Sequence, residues 1–387
     1  MNRRLSVFIF LIGMVMLLAT ACVKTTATEK VSAPTKGEVY VYVGVPLSGF
    51  QANGGQTVLG GVNLMAEELN KSGGLLGYKV VVVPIDDESD SDVALAMAEQ
   101  VRADVSAGKK VIGVIGHLNS GQTLAAMQVY KDLPLVVITP TSSEVSISQK
   151  GYTRFFRVNA NDAVQGEVDA RFLVEKLGAK RVAVIHNDTE YGIGLATSIA
   201  QALQKLGAQV VLTLQVAEGQ DDYAQELPKL QAANPDAIFY AGYEIEAPYL
   251  RYAVVHAGLT VPFLASDGAF LAATIDESEG TAEGMYVSGF APSPKTAVDA
   301  TWVHRYQQVE YRNPDTYSIN GYSALQVLAE GVKKANSFDA ESVSAAIKGL
   351  NVQTPMGRLT FEPNGDVRNA TVYIFQVRNG AFEQVYP

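Results

Sequence analysis

The chain has 387 residues, room for two or three domains at roughly 100–200 residues each. Apolar residues at 48% and charged residues at 18% exclude a disordered chain, and a net charge of −10 excludes a sequence-independent grip on nucleic acid. A single cysteine excludes a disulfide framework and any multi-cysteine metal cluster.

The first element is a targeting segment. Arg3 and Arg4 give a basic start, residues 7–18 are apolar apart from Gly13, and Leu18-Ala19-Thr20-Ala21-Cys22 closes the run with small residues. Twelve residues make a helix of about 18 Å, too short for a hydrocarbon core of ~30 Å, so residues 1–21 read as an export signal. Cys22 stands where cleavage is expected and resembles the lipobox cysteine of bacterial lipoproteins, where the thiol is acylated and becomes the new N-terminus. The alternative is a buried cysteine in an uncleaved signal. Residues 22–37 lack periodicity and read as a flexible tether with an average reach of about 20 Å. No later segment is apolar enough to span a bilayer.

Residues 38–45 alternate and are rich in Val and Tyr, which predicts a strand. Over 55–71, Val58, Val62, Met65, Ala66 and Leu69 recur at helical spacing, and Gly73-Gly74 ends the helix. The pattern then predicts strands at 79–85, 111–115 and 135–138, separated by helices at 90–107 and 120–131. A helix ending over 171–177 opens a second series: strands at 181–186, 209–215, 237–240 and 262–265, with helices at 192–206, 223–233 and 247–256 between them. Glycines and prolines over 284–294 predict a crossing between units, residues 296–349 are mostly helical, and short strands close the chain at 358–361, 371–377 and 382–385. Strand–helix alternation predicts an α/β fold with parallel sheets covered on both faces. Two doubly wound lobes fit better than one sheet, because single cores stop growing near ~250–300 residues.

Catalytic chemistry finds little support. His117, His186, His256 and His304 are scattered, none in a His-Glu-x-x-His helix or near a carboxylate pair, so no zinc site is expected. There is no Gly-x-Ser-x-Gly elbow and no Walker A loop. Tyr191-Gly192-Ile193-Gly194 follows a strand but has Thr197 where a dinucleotide fingerprint needs its third glycine. No enzyme activity and no cofactor are expected.

Three constellations remain. Gly116-His117-Leu118-Asn119-Ser120-Gly121 follows a strand and opens a helix, whose unpaired N–H groups and partial positive charge suit a carboxylate. The plainer reading is that Ser120 or Asn119 is an N-cap. Thr139-Pro140-Thr141-Ser142-Ser143 offers a second set of donors after the next strand, or is an ordinary polar turn. Both lie beyond the carboxyl ends of strands, where open α/β sheets hold ligands, and neither contains Arg or Lys, which favours a single carboxylate over phosphate. In the second series Tyr191, Tyr243 and Asp267 occupy strand ends; the tyrosines also suit a core or a surface, and Ser266-Asp267-Gly268 also suits a turn. A carboxylate facing a wall of donors is what a zwitterion needs.

At this point the chain resembles the type I periplasmic binding proteins, specifically the Leu/Ile/Val-binding (branched-chain amino acid) family of ABC-transporter solute-binding proteins. The likeness spans nearly all of 38–387. It rests on Gly44-Val45-Pro46-Leu47-Ser48-Gly49, Leu69-Asn70-Lys71-Ser72-Gly73-Gly74-Leu75-Leu76-Gly77, Asp86-Asp87, Ile115-Gly116-His117-Leu118, Thr139-Pro140, Tyr191-Gly192, Gly242-Tyr243, Ala282-Glu283-Gly284 and Met356-Gly357. The resemblance implies two lobes joined by three crossings, one of about 38–158 and 290–362, the other of about 159–289 and 363–387. It implies that Ser120, a backbone group at Thr141 and the Ser143 hydroxyl hold the ligand carboxylate, and that Asp267 pairs with the α-ammonium. Tyr191 and Tyr243 match aromatics of the second lobe, and Tyr317 matches one from the later segment of the first.

Three departures stand out. The family's usual acid is Glu, so Asp267 is one methylene shorter. Gly54 stands where the family has an aromatic, and Asn119 where it has a small or thiol residue. The first change is expected to enlarge the side-chain end of the site, the second to make it more polar. The implied function is a lipid-anchored extracytoplasmic receptor, monomeric, that closes its lobes on a small amino acid, with a branched-chain or aliphatic side chain, and is recognised by an ABC permease. Rival readings are a ligand-sensing receptor subunit of the same fold, a binder of an amide or aromatic acid, and an exported enzyme.

Overall fold

In the computed structural model, which describes residues 33–387, the valine-rich segments pair into two sheets. The export signal and Cys22 lie outside the described residues. The first sheet contains β1 (Glu38–Val45), β2 (Lys79–Asp86), β3 (Val111–Gly116), β4 (Val136–Thr139) and β5 (Phe155–Arg157), in the order β2-β1-β3-β4-β5. Every pairing in it is parallel. β3, Val-Ile-Gly-Val-Ile-Gly, is buried at all six positions because helices cover both faces.

The second sheet is built from β6 (Arg181–Asn187), β7 (Gln209–Val216), β8 (Ala237–Ala241), β9 (Phe263–Ala265) and β10 (Tyr286–Gly289). A separate hairpin, β11 (Asn351–Thr354) and β12 (Gly357–Thr360), follows later in the chain. Then β13 (Tyr373–Arg378) and β14 (Ala381–Tyr386) return to complete the order β14-β13-β10-β9-β8-β6-β7.

Two expectations are corrected here. The second sheet is mixed: β13 runs antiparallel to β10 and to β14. Asn379-Gly380, both at positive φ, forms the tight reversal that joins β13 to β14 and leaves no room for a crossover helix. And the segment 284–294 is not all crossing, because Tyr286–Gly289 is a strand with Val287, Ser288 and Gly289 buried. The passage to the first sheet's side begins only after it.

The helix Ala52–Lys71 packs on the helix Thr316–Ala335, which comes from the far end of the chain. Small residues set their approach: a side chain at Gly61 would meet the Ser318 carbonyl oxygen at 2.0 Å, and one at Gly321 the Val58 carbonyl oxygen at 2.2 Å. One apolar cluster accordingly joins Val41, Val58, Val62 and Ile115 to Ile319, Leu325 and Leu328. The chain passes between the two sheets three times: after β5, after β10 and after β12. The C-terminal ends of the parallel strands of both sheets thereby face a common cleft, which positions the site.

Candidate functional site

On the first sheet's side, β3 ends at Gly116 and the helix Ser120–Tyr130 begins four residues later. Asn119 occupies its N-cap position, yet no side chain caps the turn. The Asn119 amide instead donates to Gln51 Oε1 and, at 3.5 Å, to Ser89 Oγ. The polar character expected from Asn119 is therefore largely spent within the first unit, and the first-turn N–H groups keep their attraction for an anion.

The neighbouring loop, 139–143, is held by its hydroxyls on the backbone of the first. Thr139 Oγ1 donates to His117 O at 2.8 Å, Thr141 Oγ1 to Leu118 O at 2.6 Å and Ser142 Oγ to His117 O at 2.9 Å. Arg157, fully buried at the end of β5, donates from Nη1 to Ser142 O at 3.0 Å and from Nη2 to Glu144 O at 3.1 Å, and its Nε lies 2.8 Å from Asp366 Oδ1. Asn159 adds a bond to Thr141 O at 2.8 Å. With the loop carbonyls turned inward, the Ser143 hydroxyl is buried beside the Asp162 carboxyl and lines the cavity described below. Ser120 Oγ accepts from the Glu144 N–H at 3.2 Å, so its own hydrogen is free to donate.

Across the cleft, β9 ends in a short 3₁₀ turn, Asp267–Ala269. Asp267 Oδ1 accepts from the Tyr191 hydroxyl at 2.6 Å and from Gln165 Nε2 at 2.9 Å. Gln165 also donates to Ser288 Oγ at 3.0 Å, and Ser288 donates to Asp169 Oδ2 at 3.1 Å, so the acid rests on a chain of buried bonds. Tyr191 opens a helix, Glu190–Lys205, capped by Thr189, whose Oγ1 accepts from the Gly192 N–H at 3.1 Å. Its ring stacks on Tyr243 with centroids 5.3 Å apart. Burial pushes the Asp267 carboxyl up to about 6, against the pull of its two donors. Tyr317, from the helix that packs on the first sheet's side, donates to the Asp267 carbonyl oxygen at 3.0 Å.

These groups enclose one small cavity. All eight residues singled out in the sequence line it: Asn119, Ser120, Thr141, Ser143 and Tyr317 on one side, Tyr191, Tyr243 and Asp267 on the other. The lining also includes Leu118, Ser142 and Gly268, while Arg157 and Gln165 hold it from behind. A larger, more open groove runs along the edge strand β7, and none of the eight residues lines it. Volume alone does not make a recognition site.

Two further expectations are corrected. Gly54 does not enlarge the cavity: a side-chain carbon placed there would lie 3.3 Å from Leu271 Cδ1 and 3.5 Å from both Leu118 Cδ2 and Tyr317 Cε2. And His117 does lie beside the Asp86-Asp87 pair, with Nδ1 2.6 Å from Asp87 Oδ2, because β2 and β3 flank β1 and the ring reaches across β1 at Gly44, where a side-chain carbon would lie 2.8 Å from its Cε1. The pair is fully buried and does not line the cavity; among the described residues no group of three His, Cys, Asp or Glu is placed to hold a metal.

The fold agrees with the comparisons. A family described as periplasmic binding protein matches residues 38–381. The chain belongs to the periplasmic binding protein family. Among its relatives, an "Amino acid binding protein" of Pseudomonas aeruginosa is 30% identical over 88% of this chain and 90% of its own. A "Leucine-, isoleucine-, valine-, threonine-, and alanine-binding protein" of the same organism is 28% identical over 93% of this chain and 94% of its own. A solved leucine binding protein from Thermotoga maritima superposes with a TM-score of 0.83 at 27% identity, covering 90% of this chain and 97% of that one. The architecture is thus that of a type I periplasmic binding protein, and among the described residues no helix is long and apolar enough to cross a membrane.

Proposed function

We propose that this periplasmic binding protein is the extracytoplasmic receptor of an ABC importer and holds an α-amino acid with an aliphatic, branched-chain type of side chain. The observation that carries the reading is the juxtaposition of the buried Asp267 carboxylate with the Ser143 hydroxyl and the uncapped helix start at Ser120, all on one cavity. An α-ammonium placed on Asp267 gives that buried charge its counter-ion. A carboxylate on Ser120, Thr141 and Ser143 gives the donors their acceptor. The names of the relatives, which include leucine, valine, threonine and alanine binders, support the same class.

The proposed cycle has no chemical step. Ligand docks on one lobe, residues 38–158 with 290–362 or 159–289 with 363–387, and the lobes hinge shut on it. Contacts to both lobes exist only in the shut form, so the ligand favours it; moving a 1:99 population to 99:1 requires about 5.5 kcal/mol of differential affinity. Two charge-assisted clusters are of the right order. The shut form is what a permease recognises, while acylated Cys22 and the tether 22–37 keep the receptor at the membrane surface. Calorimetric titration with the twenty amino acids tests the reading. Heat and thermal stabilisation from aliphatic members are expected; no response to any of them discards it.

A further inference from the structure

The segment that carries Asp267 also carries Leu271, four residues on. It belongs to the second unit, yet Leu271 is 5% exposed and its side chain sits in the apolar cluster of the first, against Leu118 and Tyr317. It reaches that place over Gly54, whose missing side chain leaves the space that Leu271 Cδ1 enters. Leu118 and Tyr317 are walls of the ligand cavity, so a methyl group of Leu271 stands behind the end of the cavity those two residues form.

The rest of the lining offers little to a long hydrocarbon. Beyond the tyrosine rings, Leu118 is the sole aliphatic lining residue, and the remaining wall is Ser, Thr, Asn, Asp and Gly. One added methylene in an apolar pocket changes affinity by roughly 10–200-fold when the pocket does not yield.

We infer that Leu271, seated over Gly54, sets the side-chain length the site accepts and favours alanine-, threonine- and valine-sized ligands over leucine and phenylalanine. This rests on the amino-acid reading above and narrows it. Asp267 fixes the ammonium and Ser120 and Ser143 fix the carboxylate, so a side chain has one direction to grow, toward Leu118, Tyr317 and the Leu271 methyl behind them. Leu271 is a specificity residue supplied by the opposite lobe, which makes the size test part of closure.

The test is the ratio of dissociation constants for leucine and valine, measured by calorimetry for the wild type, Leu271→Ala and Gly54→Ala. A ratio cancels any uniform loss of closure in a variant, since that factor scales all ligands alike. The wild type is expected to bind valine at least tenfold more tightly than leucine. Leu271→Ala should bring the ratio down by fivefold or more, and Gly54→Ala, whose added carbon would lie 3.3 Å from Leu271 Cδ1 and hold that methyl in place, should keep or raise it. A wild-type ratio near one, or the same ratio in all three proteins, overturns the inference while leaving the amino-acid reading intact. Absence of binding by alanine, threonine, valine, leucine and phenylalanine alike overturns both.

Discussion

The Tyr317 hydroxyl donates to the backbone carbonyl of Asp267 at 3.0 Å, from one side of the cleft to the other. Asp267 is thus gripped twice, its carboxylate by Tyr191 and Gln165 and its main chain by Tyr317. The second grip holds only where the two units touch.

Tyr317→Phe removes that contact and keeps the ring. A neutral hydrogen bond contributes about 1 kcal/mol net, so amino-acid affinity should fall roughly fivefold. Calorimetry reads the affinity, and urea denaturation should give an unchanged midpoint because each core is intact. An unaltered dissociation constant would show that the bond plays no part in the ligand-holding arrangement.

Asp267→Asn keeps an oxygen able to accept from Tyr191 and Gln165 and removes the charge. Loss of a buried partner for an ammonium costs roughly 2–5 kcal/mol, which means amino-acid binding weaker by about 30-fold or more. Retention of wild-type affinity would take Asp267 out of the site.

Binding should also depend on pH. An ammonium requires Asp267 charged, and burial raises that carboxyl to about 6, so affinity is full above pH 7 and declines as pH falls through 6. Titrations at pH 5 and 7.5 with the same amino acid check this, and equal constants would refute it.

Ligand-free stability runs the other way. Burial raises Asp162 and Glu244 to about 8, so over pH 5–8 the folded state holds more protons than the unfolded state. Stability is then greatest at the acidic end and is lost as pH rises through these values. The ligand-free melting temperature should be higher at pH 5 than at pH 8, and Asp162→Asn should flatten the slope.

Arg157→Met strips the donor loop of its support. Glu144 O loses the guanidinium, Ser142 O keeps only Asn159 Nδ2 at 3.2 Å, and the Asp366 carboxylate keeps only Ser148, Asn161 and Asn364. Breaking a buried ionic contact from one side costs roughly 3–5 kcal/mol, and the retained partners of Asp366 place this case at the lower end. Denaturation should report a loss of about 3 kcal/mol, with weaker ligand binding even where the variant is fully folded.

The sequence exposed what is local. Ser120, Thr141, Ser143, Tyr191, Tyr243 and Asp267 each lie within a few residues after a strand, so the rule that ligands gather at strand ends found their region without any knowledge of pairing. The helix Ala247–His256 was legible to the residue. What stayed hidden depends on long-range meetings: Gln165 reaches Asp267 across 102 positions of sequence, and no pattern near either residue announces it. β5 escaped for another reason, since three residues carry too little periodicity to register. Gly54 misled because its vacancy is filled by a leucine from the opposite unit.

The close approach of Gly61 and Gly321 has a consequence for how the polypeptide is born. Glu68 and Tyr322, on the same two helices, are separated by 254 positions along the chain. At roughly 5–20 residues per second, a ribosome delivers the second helix about 13–50 s after the first. Throughout that interval the face of Ala52–Lys71 that meets Thr316–Ala335 has no partner and must stay exposed.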